Sequence, residues 1–123
     1  MREEFDIVVL GAGAGGMTAA NVAASEGLSV LLLEKTDRVG GTTAISGGMV
    51  WAPNCAVDEA REDSREKAEA YLAATVATED GADLREAFLA TAPEAIAYLE
   101  RHTEVRLKPV AVYPDYYPEA DGS

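Results

Sequence analysis

LGAGAGGMTAA, residues Leu10 to Ala20, follows directly on the branched aliphatic run Ile7–Val9. Glycine weakens strands and helices alike. A glycine cluster between two regular segments therefore marks a place where side chains would obstruct something. Gly11, Gly13 and Gly16 fit the spacing G-x-G-x-x-G, with Ala12, Ala14 and Gly15 keeping the intervening positions small. In that arrangement the first glycine allows a tight turn. The second lets a pyrophosphate reach the backbone, and the third lets the following helix pack close to the strand.

The flanking residues supply the setting this motif needs. Phe5 to Leu10 is a short, nearly continuous apolar run and predicts a strand buried on both faces, the pattern of a parallel sheet. MTAANVAASEG, from Met17, predicts a helix closed by Gly27 at its C-terminal end. LSVLLLE, Leu28 to Glu34, predicts a second strand. The order is strand, glycines, helix, strand: a βαβ unit over residues 5–34, and an α/β fold of the Rossmann-like kind. The N-terminus of that helix offers free N–H groups and partial positive charge to phosphates. Glu34 ends the second strand 18 residues after Gly16, where an acid accepts hydrogen bonds from an adenosine ribose. Lys35 stands beside it in the candidate cofactor set. A glycine-rich turn with no ligand is the alternative, and the complete unit disfavours it.

The next segment separates the two common dinucleotides. Residues 36–57 form a long loop rich in Gly, Thr and Ser, and loops of that length in compact domains are functional or disordered. It carries two further glycine pairs, Gly40–Gly41 and Gly47–Gly48, with the hydroxyls of Thr42, Thr43 and Ser46 between them. A simple NAD domain has no need of a second glycine-hydroxyl loop here. FAD does, because its pyrophosphate, ribityl chain and ring extend further, and backbone N–H groups near a flavin stabilise charge on it. Trp51 and Pro53 favour an ordered loop over a flexible linker.

Residues 58–102 predict a helical segment. One helix is expected from Asp58 to about Thr78, with Tyr71, Leu72, Thr75 and Val76 as its apolar stripe. A second is expected over Ala82 to Ala90, with Leu84, Ala87 and Phe88 on one face. TAPE, Thr91 to Glu94, reads as a capping box that restarts a helix running to His102. Residues 104–123 predict a strand over Val105 to Tyr113, placed at a sheet edge by Pro109, and then a loop.

Charge and composition narrow the function. The chain has 123 residues, 48% of them apolar, and a formal charge of −12 from 22 acids against 10 bases. Nucleic acid and anionic membrane surfaces repel so acidic a chain. The lone cysteine, Cys55, allows no intrachain disulfide and fits a reducing compartment. Pairing it with the single histidine, His102, as nucleophile and base finds no further support; His102 reads as a solvated helix-end residue. The N-terminus does not read as a signal peptide, and no segment reads as a membrane span. A cytoplasmic protein is expected, with no metal site.

DIVVLGAGAGGMTAA, LLLEKTDRVGGTTAISGGMVWAPN and YPDYYPEADG together resemble the N-terminal part of FAD-dependent oxidoreductases of the fumarate reductase and 3-ketosteroid Δ1-dehydrogenase family. The resemblance covers nearly the whole chain and is most specific from Phe5 to Asn54. SGG followed by Trp and Pro is closer to the ketosteroid dehydrogenases than to the fumarate reductases. The resemblance implies FAD as cofactor and a ketosteroid as substrate. It implies removal of a proton alpha to the ketone by a tyrosine base, with transfer of a hydride from the neighbouring carbon to the flavin. PDYY resembles a segment carrying an active-site tyrosine, and the matching residue is Tyr116, which would assist that base through a hydrogen bond. From the residues alone, Tyr113, Tyr116 and Tyr117 read equally as loop tyrosines with packed rings and wet hydroxyls.

Members of that family are several times longer, so the chain reads as the front of a larger flavoprotein. A marginally stable, catalytically inactive piece with apolar faces exposed is expected. A fumarate reductase-like flavoprotein, a stand-alone nucleotide-binding module and a truncated product remain alternatives.

Overall fold

The computed structural model describes residues 4–55, 63–78, 80–110 and 113–123. The chain divides into two compact units, residues 1–50 and 51–123.

The first unit is the βαβ element. Strand β1 (Ile7–Leu10) and strand β2 (Val30–Leu33) pair in parallel, Ile7 opposite Val30 and Leu10 opposite Leu33. Helix α1 (Ala14–Ser25) connects them. It begins three residues earlier than the sequence predicts, because the small residues of the glycine cluster are themselves its first turn. Its end is as expected: Gly27 takes φ +85°, and the N–H of Leu28 returns to the Ala23 carbonyl at 3.1 Å. Both strands are shorter than their apolar runs. Asp6 and Ser29 fix the register just outside the ladder, the Ser29 N–H and hydroxyl both donating to Asp6 Oδ2, at 2.8 and 2.5 Å.

Helix α1 covers only the sheet face that carries Val9. On the other face Val8 is 53%, Leu10 79% and Leu33 45% exposed. The expectation that Phe5–Leu10 is buried on both faces is corrected accordingly: the continuous apolar run is present, and one side of it lies open, in keeping with the expectation of exposed apolar faces. A single 3-10 turn, Gly41–Ile45, follows β2.

The second unit is helical. Helix α2 (Arg65–Thr75) starts where the Ser64 hydroxyl accepts the Lys67 N–H at 3.2 Å. Asp63 and Ser64 precede the helix, later than the expected start; residues 58–62 lie outside the described residues. Its stripe is as predicted, with Tyr71 buried and Leu72, Thr75 and Val76 half-buried. Helix α3 (Ala82–His102) is one uninterrupted helix with Pro93 inside it. The predicted break at TAPE does not occur. Thr91 turns its hydroxyl back to the Ala87 carbonyl at 2.7 Å instead of capping a new helix. Proline gives up one backbone bond, and burial of Leu89 and Ala92 before it and Ile96 after it holds the helix together. The expected face of Leu84, Ala87 and Phe88 is exposed, since the buried stripe runs through Leu89, Ala92 and Ile96 at helical spacing. Trp51 stacks on Phe88 at 5.8 Å and lies 5.9 Å from Tyr71, centroid to centroid. Arg65 bridges Glu69 on α2 and Glu86 on α3.

The expected edge strand over Val105–Tyr113 is also corrected. None of its described residues is in a strand; residues 111–112 lie outside the described set. A strand needs a ladder partner, and among the described residues β1 and β2 pair only with each other.

The tail is held where Gly122, at φ +84°, lies against α2: a Cβ there would stand 2.1 Å from the Lys67 carbonyl oxygen and 2.7 Å from the Tyr71 nitrogen. Gly122→Ala is expected to undock residues 113–123 from α2 at a cost of about 2 kcal/mol. Limited proteolysis checks this: cleavage in the tail should accelerate while α3 stays resistant.

Candidate functional site

Between β1 and α1 the chain turns through Gly11, at φ +100°. The Gly11 N–H donates to the Leu33 carbonyl at 2.7 Å, so the turn starts from the end of the sheet. Gly13 is the N-cap of α1, in extended backbone, with no side-chain cap and no acid in the first turn. The first N–H groups of α1, at Ala14, Gly15 and Gly16, therefore keep their donor capacity and the positive end of the helix dipole is not offset locally. That is the electrostatics of an anion site.

The glycines of this turn differ in what they exclude. A Cβ at Gly16 would stand 1.9 Å from the Gly11 carbonyl oxygen and 3.4 Å from Val9 Cγ1. Only a hydrogen fits there, because α1 lies directly on β1. At Gly13 and Gly15 a Cβ would meet nothing within 4 Å, and neither has a positive φ. No packing or backbone demand of the chain accounts for glycine at those two positions. They leave open space in front of the helix N-terminus.

Glu34, just past β2, is half-buried. Its Oε2 accepts the Ala12 N–H at 2.9 Å and its Oε1 accepts the Thr36 N–H at 3.0 Å. The backbone bond from Ala12, then that from Thr36 and the Thr36 hydroxyl, holds its carboxyl below the usual carboxylate range. Lys35 is exposed. The second glycine loop meets the first at Gly40 and Gly41. The buried Gly40 donates its N–H to the Ala12 carbonyl at 2.6 Å, and a Cβ on Gly41 would come within 3.3 Å of Gly13 Cα. Thr42 and Thr43 lie in the 3-10 turn. Ser46 spends its hydroxyl proton on the Thr43 carbonyl at 2.8 Å and accepts the Gly48 N–H at 3.1 Å. Both bonds of that hydroxyl are local to the loop. Gly47 and Gly48 are exposed.

Every sequence-predicted cofactor residue thus falls in the first unit. Tyr116 falls in the second, in a bend, and the residue is 97% exposed. Thr36 was not anticipated; its signal was a hydroxyl two residues after the acid, the spacing of a local side-chain-to-backbone turn. Cys55 donates its thiol to the Pro53 carbonyl at 3.8 Å. Burial pushes that thiol above its ordinary value, with Asp63 and Glu100 adding to the effect, which suppresses the thiolate a nucleophile needs. His102 stacks on Tyr98 at 4.3 Å. Among the described residues, no cluster of His, Cys, Asp and Glu could hold a metal ion, and no helix is long and apolar enough to cross a membrane.

The chain is similar to several known proteins. It is 44% identical over 122 residues to a 3-oxosteroid 1-dehydrogenase of Mycobacterium tuberculosis, covering 98% of this chain and 22% of the relative. It is 44% identical over 118 residues to a 4-oxocyclohex-2-ene-1-carboxylate 5-dehydrogenase of Sinomonas cyclohexanicum, covering 96% of this chain and 20% of the relative. It resembles the crystal structure of 3-ketosteroid Δ1-dehydrogenase from Sterolibacterium denitrificans in complex with 1,4-androstadiene-3,17-dione, with a TM-score of 0.82 and 41% identity over 96% of this chain and 21% of that one. The chain spans about a fifth of the length of these relatives. The FAD binding domain family matches residues 6–122, a stretch that contains both glycine loops, the uncapped helix N-terminus and Glu34, and the chain belongs to that family.

Proposed function

We propose that the chain is the dinucleotide-holding part of a flavin-dependent oxidoreductase that dehydrogenates a C–C bond next to a ring ketone, with a 3-ketosteroid as the favoured substrate. One observation carries the cofactor side of the reading: Gly13 and Gly15 are glycines that the chain's own packing does not require, and they stand in front of an uncapped helix N-terminus. Ligand approach explains them where protein contacts do not.

In this reading the N–H groups of Ala14, Gly15 and Gly16 hold the pyrophosphate, and Gly11, Ala12 and Gly13 let it come close. Glu34 keeps acceptor capacity for an adenosine ribose, since a carboxylate has about four acceptor sites. Gly40, Gly41, Thr42, Thr43, Ser46, Gly47 and Gly48 line the way toward the flavin, and Lys35 lies at the exposed rim. Bound FAD supplies the acceptor for a hydride. Tyr116 would assist a tyrosine base that takes the proton alpha to the ketone; its exposed ring fits a residue placed for an external group. The substrate side rests on the relatives, whose named substrates are steroid and monocyclic ring ketones.

The test is titration of the purified chain with FAD and with NAD, followed by visible absorption and gel filtration. Retention of a flavin band and no saturable binding of NAD is the expected result. Equal affinity for NAD and FAD would make this a general dinucleotide site and remove the flavoenzyme reading.

A further inference from the structure

We propose that Glu34 is a positioning residue that ties the two glycine loops together before any cofactor arrives, with Thr36 as its partner. The inference rests on the FAD-binding reading above and goes beyond the ribose contact.

Ala12 is the point at which the loops are joined. It is fully buried, and its peptide groups are used in opposite directions. Its N–H goes to Glu34 Oε2 at 2.9 Å, and its carbonyl receives the Gly40 N–H at 2.6 Å. Gly40 lies six residues beyond Glu34. The side chain of Glu34 grips Ala12, and the segment that leaves Glu34 returns to grip the same residue. Gly41, next in sequence, then lies against Gly13. The second carboxylate oxygen builds the intervening turn. It accepts the Thr36 N–H, and the Thr36 hydroxyl stands 3.1 Å from it and 2.8 Å from the Arg38 carbonyl.

A carboxylate is acceptor-only, and these bonds already engage both of its oxygens. Three of its roughly four acceptor sites are thus used within the chain, so Glu34 orders the loops in addition to any ribose contact. Charge-assisted bonds of this kind are stronger than neutral ones. Ordering of the loops then occurs during folding and not on binding, which removes that cost from cofactor affinity.

Residue-resolved amide exchange by NMR on the full chain without cofactor tests this. In Glu34→Ala, the Ala12 and Gly40 amides should exchange about tenfold faster or more, the scale of one charge-assisted hydrogen bond. The Gly11 amide, bonded to the Leu33 carbonyl, should hold its rate. Thr36→Val should accelerate the same two amides a few-fold, since the hydroxyl's single proton is shared between Glu34 Oε1 and the Arg38 carbonyl, and Thr36→Ser should restore them. Faster exchange at Ala12 with Gly40 unchanged would show that Glu34 holds its own partner and nothing more. Equal acceleration at Gly11 would mean a general loss of stability. Either result overturns the inference, as does a Thr36→Val chain identical to the parent. If Glu34→Ala does not fold, the Thr36 pair decides. An FAD titration separates the two readings. Lower affinity in Glu34→Ala with unchanged exchange leaves only the ribose contact. A parent chain that shows the expected exchange pattern but binds no FAD keeps the strut and refutes the function.

Discussion

Gly16→Ala should lower the melting temperature of the chain by about 10 °C or more, the consequence of overpacking by about 3 kcal/mol in a small domain. The added methyl carbon would stand 1.9 Å from the Gly11 carbonyl oxygen. That atom is backbone, so no rotamer change relieves the clash; α1 must move away from β1, or the turn must be rebuilt. Both responses also disturb the Gly11 bond to Leu33 that starts the turn. The control is Gly15→Ala, one residue away in the same helix. Its Cβ meets nothing, and alanine is a better helix former than glycine by roughly 0.5–1 kcal/mol. Circular dichroism melts of the two variants should therefore move in opposite directions. Matching melts for Gly16→Ala and the parent would show that the helix does not rest on the strand as described.

Gly13→Ala should do the reverse: leave the fold alone and abolish much of the binding. Its backbone is extended, at φ −76° and ψ −176°, and a Cβ would enter open space. Alanine is a slightly poorer N-cap than glycine but loses less freedom on folding, so the net change in stability is about 1 kcal/mol or less. A methyl group in front of the helix N-terminus keeps a phosphate from its N–H donors. Loss of one charge-assisted hydrogen bond weakens FAD roughly 10- to 100-fold. Titration of the variant with FAD, beside its melt, separates the effects. An unchanged dissociation constant would move the pyrophosphate away from Gly13.

Two glycines of one motif thus differ, one closed off by packing and one facing open space, and the spacing rule alone treats them alike. The rule locates the site because its requirements are local. A strand, a turn and a helix within residues 7–25 involve neighbours in sequence, and apolar run, small residues and alanine-rich helix all announce themselves there. Glu34 was equally readable, since its place at the end of β2 follows from the same unit. The bonds it makes were not. An acid after a strand has many acceptor partners within reach in principle, and only the return of residues 36–40 onto Ala12 selects them.

In the second unit the local signals misled. TAPE has the composition of a capping box, yet Thr91 turns its hydroxyl inward and α3 continues through Pro93. The cap that does form, at Ser64, is a single serine before a charged stretch and stood out less. The alternation over Val105–Tyr113 looked like a strand, but β structure depends on a partner, and among the described residues β1 and β2 pair only with each other.

Short-range chemistry was therefore enough to read the βαβ unit, a candidate anion-binding turn and the candidate ribose acid. These depend on periodicity and on the sizes of adjacent residues. Packing in three dimensions was needed to show which glycine is steric and which is empty, that one sheet face lies open, that α3 is a single helix, and that Ala12 is held from both sides. Those outcomes depend on distances between residues far apart in the chain, which no local pattern encodes.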